Sequence, residues 1–202
     1  MKEMPSAEIK SVPDFRFAHI APKTWDALAK LLRTGWVKRG VKNPESVQEH
    51  TISLRNIAAS IETFSENDKE DLLDMLEVHD WPEAIHGDQV IVTDNEEEKM
   101  SLKAIKFKQE HQALIGICSN LGVEGTAILN LWLRFETADD EVAMFARQLD
   151  KYQAIEKAME YEEAQAIPLF KEFLDYARKS ISHPILLEKI KKLESDWELL
   201  KK

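Results

Sequence analysis

Residues 72–88 read LLDMLEVHDWPEAIHGD, the end of an apolar helix running into a polar turn. Leu72, Met75 and Leu76 recur at helical spacing, and His79 continues the same row. An imidazole therefore faces the core, with the carboxylate of Asp80 beside it. Pro82 stops the helix soon afterwards, and Gly87 marks a turn. Imidazole and carboxylate together can hold a divalent metal if other parts of the chain supply further inward-facing ligands.

Two other helices do so. Upstream, Asn43-Pro44-Glu45-Ser46 is a helix start signal. The helix it opens is expected from about Glu45 to Phe64, with Val47, Leu54, Ile57, Ile61 and Phe64 on its buried face. His50 falls on that face. Ser65-Glu66-Asn67-Asp68 then forms a turn and cap before the helix that leads to His79. Downstream, a helix from about Ala138 to Tyr161 carries the row Ala143, Ala146, Asp150, Ala154, Ala158. Asp150 interrupts a stripe of small residues, and a buried carboxylate there requires a base or a metal as partner. Inward-facing His50, His79-Asp80 and Asp150 each carry a desolvation cost, which one shared cation would offset. Two imidazoles and two carboxylates suit a mid-series divalent ion such as Mn, Fe, Co, Ni or Zn.

The rest of the chain reads as helix. A first helix after Lys23 has Trp25, Leu28, Leu31 and Leu32 on one face and is expected to stop near Gly35. Trp36 to Val41 then reads as a loop, in which Trp36 either covers the core edge or walls a pocket. Gln89 to Thr93 could be extended, with Thr93 or Asp94 capping the next helix. Asn95-Glu96-Glu97-Glu98-Lys99 suits a solvated first turn. That helix runs through Ile105 and a surface His111 to Cys118. Ile128 to Leu133 forms an apolar helix after Gly122 and Gly125. Thr137 with Asp140 fits a capping pattern, and Asp139 and Asp140 read as solvated acids. Helices from Pro168 to about Ile181 and from Pro184 to Leu200 complete the chain.

An all-α, single compact helical bundle follows. Residues 1–22, with Pro5, Pro13 and Pro22, form an irregular N-terminal segment; 23–165 form the domain; 166–202 form C-terminal helices packed on it or at a dimer interface. The chain has 202 residues, 44% of them hydrophobic, enough for a real core. Its formal charge of -10, from 37 acids and 27 bases, argues against binding a nucleic acid polymer but allows a small anionic substrate. Cys118 is the one cysteine and lies in an apolar run, so it reads as a buried, inert thiol in a reducing compartment. With no membrane-length apolar stretch and no signal-peptide core, the expected location is cytoplasmic, with no membrane partner. Neither GxxxxGK nor GxGxxG occurs.

The order His50, His79-Asp80, Asp150 resembles the H…HD…D motif of HD-domain metal-dependent phosphohydrolases. The wider stretches Arg33 to Val37, Pro44 to His50, His79 to Asp88 and Arg147 to Lys151 are similar to the branch holding bacterial 5′-deoxynucleotidases and the eukaryotic HD domain-containing protein 2 group. The likeness spans roughly residues 25–162. It implies an HD-domain fold, a homodimer, and release of phosphate from (deoxy)nucleoside 5′-monophosphates with one divalent ion, Mn, Co, Fe, Ni, Zn or Mg. It also implies His50, His79, Asp80 and Asp150 as metal ligands. Glu83 becomes a proton donor or water-orienting group, Asp88 a partner for a sugar hydroxyl, and Trp36 a wall of the nucleoside pocket. The bacterial type carries an Arg directly before this Trp, where Gly35 stands here; Arg33 or Arg39 could take its place. HD-type phosphodiesterases, guanosine-polyphosphate hydrolases and a non-catalytic, metal-stabilised interaction protein are the alternatives.

Overall fold

The computed structural model describes residues 14–201, and the expectation for 1–13 lies outside them. The helices are α1 Pro22–Leu28, α2 Thr34–Lys38, α3 Val47–Ala59, α4 Glu66–Val78, α5 Glu83–His86, α6 Glu96–Cys118, α7 Gly122–Thr137, α8 Glu141–Gln165, α9 Phe170–Ala177 and α10 Pro184–Leu200. No strand forms among the described residues; a lone antiparallel bridge joins Leu32 to Ser46. None of these helices is long and apolar enough to cross a membrane.

The spine is α8. Its buried side includes Ala143, Ala146 and Ala158 between Phe145, Leu149 and Ile155. Small residues let neighbours approach closely, and α3, α4, α7, α9 and α10 all pack against this helix. The second close approach is α6 against α7. A Cβ on Gly125 would stand 2.5 Å from the Cys118 carbonyl oxygen, so only glycine fits there. Cys118 itself is buried, and burial pushes its thiol up to about 11, as an inert cysteine requires.

Local signals set most helix starts. Ser46 and Glu49 form a reciprocal capping box at α3, and Ser65 caps α4. Asn95, not Thr93 or Asp94, caps α6, and its first turn is the acidic run Glu96, Glu97, Glu98. Asp140 caps α8 directly through Ala143 N–H while pairing with Arg134 at 2.8 Å; Thr137 instead ends α7. Gln89 to Thr93 is irregular rather than extended into a strand.

Two expectations fail near the N-terminus. The first helix ends at Leu28, and Gly35 lies inside α2 rather than stopping a helix. The cause is tertiary. Arg33 N–H donates to Glu45 O at 3.0 Å and Val47 N–H to Leu31 O at 2.8 Å, so residues 31–33 are drawn out straight against the start of α3. The helix from Glu45 is also shorter than expected: it begins at Val47 and closes at Ala59, with Ser60 turning back onto Ile57 O. His111 is half-buried rather than on the open surface, with its ring stacked on Trp132 at 5.7 Å.

Residues 14–18 are held by one buried carboxylate. Glu77 accepts from Arg16, Phe17 and Ala18 N–H at 2.8, 2.6 and 2.7 Å and pairs with Arg55 at 2.8 Å. Burial pushes its pKa up, against the pull of Arg55, so the ion pair is costly to leave half-made. Glu77→Ala strands three N–H donors and removes the carboxylate that pairs with Arg55. It should lower unfolding free energy by about 3–5 kcal/mol in urea titration, whereas a loss within the ordinary surface range would show that this clamp is dispensable.

Candidate active site

Four elements meet at the C-terminal end of α4. α3 presents His50, the end of α4 presents His79 and Asp80, and α8 presents Asp150. The extended residues before α2 present Arg33. His50 Nε2 lies 3.1 Å from Asp150 Oδ1 and 3.7 Å from Asp80 Oδ2, and His79 Nε2 lies 3.2 Å from Asp80 Oδ2. His50, His79 and Asp80 form one cluster whose ligand atoms all lie within 4.8 Å of one another. The four sequence-derived metal-ligand candidates are thus brought together, Asp150 joining through His50.

The hydrogen bonds behind the two imidazoles decide what this cluster can hold. Glu45, a buried carboxylate, accepts from Trp36 Nε1 at 3.1 Å and from Gln153 Nε2 at 3.1 Å. That fixes the Gln153 amide so that its oxygen faces His50 Nδ1 at 2.9 Å. The oxygen can only accept, so His50 carries its proton on Nδ1. His79 Nδ1 likewise donates to Leu76 O at 2.8 Å. Both Nε2 atoms are therefore left with lone pairs aimed into the cluster. Both are buried and make no hydrogen bond. Nitrogen lone pairs desolvated beside two carboxylates fit a divalent metal, and backing of this kind is what fixes a metal-binding histidine's tautomer.

The electrostatics agree. Burial disfavours charge on Asp80, but His79 and Arg33 outweigh it and hold the carboxyl far below the usual range. Asp150 is partly buried, and its desolvation also opposes charge, yet His50 and Arg33 bring it down to about 2. His79 is raised despite burial, because Asp80 favours positive charge beside it. Both acids are thus ionised, and positive charge is favoured at this point. Arg33 supplies part of it, 3.0 Å from Asp80 and 3.9 Å from Asp150.

The cluster lies at one side of a cleft of about 630 Å³. Six bases line it (Arg33, Lys99, Lys103, Lys106, Arg147 and Lys151), together with the acids Asp80, Glu83, Asp88, Glu110, Glu136 and Asp150. Burial changes that balance. Glu110 is pushed up to about 7, Glu136 is raised, and Glu83 is raised well above its ordinary value, in each case chiefly by burial. Nearby Asp80 and Asp88 add to the effect at Glu83. Lys106, 3.4 Å from Glu110, is raised despite its burial by the negative charge that Glu110, Glu83 and Asp80 place beside it. These upward shifts weaken the negative charge of the cleft relative to its residue count, inside a chain of charge -10.

The remaining candidates fall around this cleft. Glu83, in the single turn α5, is buried and its Oε2 has no partner. Asp88 accepts from Thr34 N–H through Oδ2 at 2.6 Å and so caps α2 from a distance; among the described residues no hydrogen bond is made to its Oδ1. Trp36 is 3% exposed and stacks on Phe173 at 4.5 Å, which makes it core edge and pocket backing at once. It lines a second lobe of about 610 Å³ that adjoins the first. Arg39 turns to Glu172 and to Gly35 O at 2.9 Å, so Arg33 is the arginine beside the cluster. Sequence reading missed Gln153, Glu45, Lys106 and Glu110. Only Gln153 left a trace, one helical turn after Asp150 on the same helix.

Residues 25–192 match the HD domain family, and the chain belongs to it. It is 34% identical over 172 residues to the 5′-deoxynucleotidase HDDC2 of Danio rerio, covering 84% of this chain and 82% of that one. It is 30% identical over 169 residues to the 5′-deoxynucleotidase hdd1 of Schizosaccharomyces pombe, covering 80% and 82%. The fold is shared with the PH0347 protein of Pyrococcus horikoshii, with a TM-score of 0.67 at 24% identity over 90% of this chain and 99% of that one. Family and cluster together imply a divalent metal.

Gln153→Leu removes the acceptor that keeps the His50 proton on Nδ1. Divalent-metal affinity measured by calorimetry should fall about 10–100-fold with the fold intact; unchanged affinity would mean that Gln153 does not set the ligand.

Proposed function

We propose that this chain is a metal-dependent 5′-nucleotidase that releases phosphate from deoxynucleoside 5′-monophosphates. The carrying observation is the pair of buried, unpartnered Nε2 atoms beside Asp80 and Asp150 at the edge of a base-lined cleft. The relatives' names support the substrate class.

His50, His79, Asp80 and Asp150 would hold the cation, with its identity left to the test below. A divalent ion bound there neutralises phosphoryl charge and lowers the pKa of water. Arg33 and Lys106 add positive charge where the phosphate enters. Glu83 acts as the general acid: burial raises its pKa and favours the protonated carboxyl, whose proton goes to the departing nucleoside 5′-oxygen. Asp88 Oδ1 accepts from a sugar hydroxyl while Oδ2 remains on Thr34. Trp36 backs the nucleoside lobe.

The test is phosphate release from deoxy- and ribonucleoside 5′-monophosphates, and from cyclic dinucleotides, across divalent metals. Turnover of the deoxy monophosphates is expected. Asp80→Ala should lose bound metal and drop that turnover by about 10³-fold or more, matching the several kcal/mol a metal contributes. Cleavage of the dinucleotides alone would make the protein a diesterase. Full activity in metal-free protein would end the proposal.

A homodimer is part of the same reading, supported by the apolar side chains that α6 leaves exposed, Met100 and Ile105. Light scattering should give the mass of two 23.3 kDa chains; the mass of one refutes it.

A further inference from the structure

We infer that Tyr176, on α9, is the platform on which the nucleobase stacks. The inference rests on the nucleotidase reading and names a binding residue that the sequence motifs do not include.

A nucleoside monophosphate with its phosphate at the Asp80 cluster must lay its base toward the second lobe. The two lobes share Arg33, Asp88, Val90, Ile91, Lys99 and Tyr176. Tyr176 is the one aromatic ring among these six. It is 66% exposed, and its side chain makes no hydrogen bond or ring contact with any described residue; its backbone carbonyl accepts from Lys179 N–H at 3.4 Å. α9 buries Phe170, Leu174 and Ala177, so position 176 falls off its packed face and the ring stands over the cleft.

The other aromatic rings of the cleft are already engaged. Trp36 is stacked on Phe173 and meets the edge of Tyr161 at 5.2 Å. Phe173 also carries the Arg39 guanidinium, 4.8 Å from its centroid. Phe107 is stacked on Trp132 at 5.3 Å, and Phe135 packs against His79 at 4.9 Å. A base stacking on any of these would first displace a partner, whereas Tyr176 offers its ring at no such cost. Stacking of this kind tolerates every base, because each has a π face. The platform therefore predicts weak discrimination among bases and strong discrimination between a nucleotide and a baseless sugar phosphate.

The experiment compares kcat/KM for deoxynucleoside 5′-monophosphates with that for 2-deoxyribose 5-phosphate, using wild type, Tyr176→Ala and Tyr176→Phe with bound metal. The nucleotide-to-sugar ratio should fall roughly tenfold in Tyr176→Ala, carried mainly by KM, and return to the wild-type value in Tyr176→Phe. Thermal unfolding of the exposed-site variants checks that each is folded. An unchanged ratio in Tyr176→Ala, with both substrates still hydrolysed, places the base elsewhere and overturns the inference. A loss that Phe does not rescue assigns the effect to the hydroxyl and overturns stacking. Failure of the wild type to hydrolyse any of these monoesters sinks the nucleotidase reading itself.

Discussion

Two nitrogen lone pairs, held dry and pointed at each other's neighbours, are the constraint around which this molecule is arranged. A buried polar atom with no partner costs on the order of 1–3 kcal/mol. His50 and His79 each carry one. Nothing in the helix ends alone would keep them so. The proton of each ring is pinned on the far nitrogen by an acceptor that cannot donate: the Gln153 amide oxygen for one, the Leu76 carbonyl for the other. The Gln153 amide is itself pinned by Glu45, which also takes Trp36. A chain of hydrogen bonds thus runs outward from the cluster, His50 donating to Gln153 and Gln153 to the buried Glu45, where Trp36 donates from the other side. The small residues of α8 bring the elements close enough for that chain to close.

Burial, rather than composition, tilts the cleft toward positive charge. Six acids line it beside six bases. If every group were charged, an anion would meet no net attraction. Burial keeps Glu83 and Glu110 from ionising readily, while Arg33 and Lys106 keep their charge. Asp80 and Asp150 stay ionised because they sit against His79, His50 and Arg33. Acids of one chemical type are thereby sorted by their surroundings into proton carriers and fixed negative charges, a division of labour that phosphoryl chemistry can use.

Much of this was legible in the linear chain because it is local or periodic. His50, His79 and Asp150 each fall on a core-facing row, and Ser46-x-x-Glu49 and Ser65 announce their helices. What stayed hidden depends on contacts across the chain. The first helix ends early because residues 31–33 pair with residues 45–47, and no propensity near Leu28 encodes that pairing. Gly35 sits in a helix because Asp88, more than fifty residues away, caps it. Glu45 looked like part of a start signal and is instead the buried anchor of Gln153. Lys106 and Glu110 lie in a helix of which only the first turn, Asn95 to Lys99, reads as a solvated charge run, and only the fold turns their side toward a cleft.

The contact between Asp88 and the first N–H of α2 has a further meaning for movement. It joins the turn after α5 to the segment bearing Arg33, so the two sides of the opening form a bracket. Thr34 ties the two rims at a single point, donating to Asp88 through both its N–H and its hydroxyl, so displacing the turn would break or strain two hydrogen bonds next to Arg33.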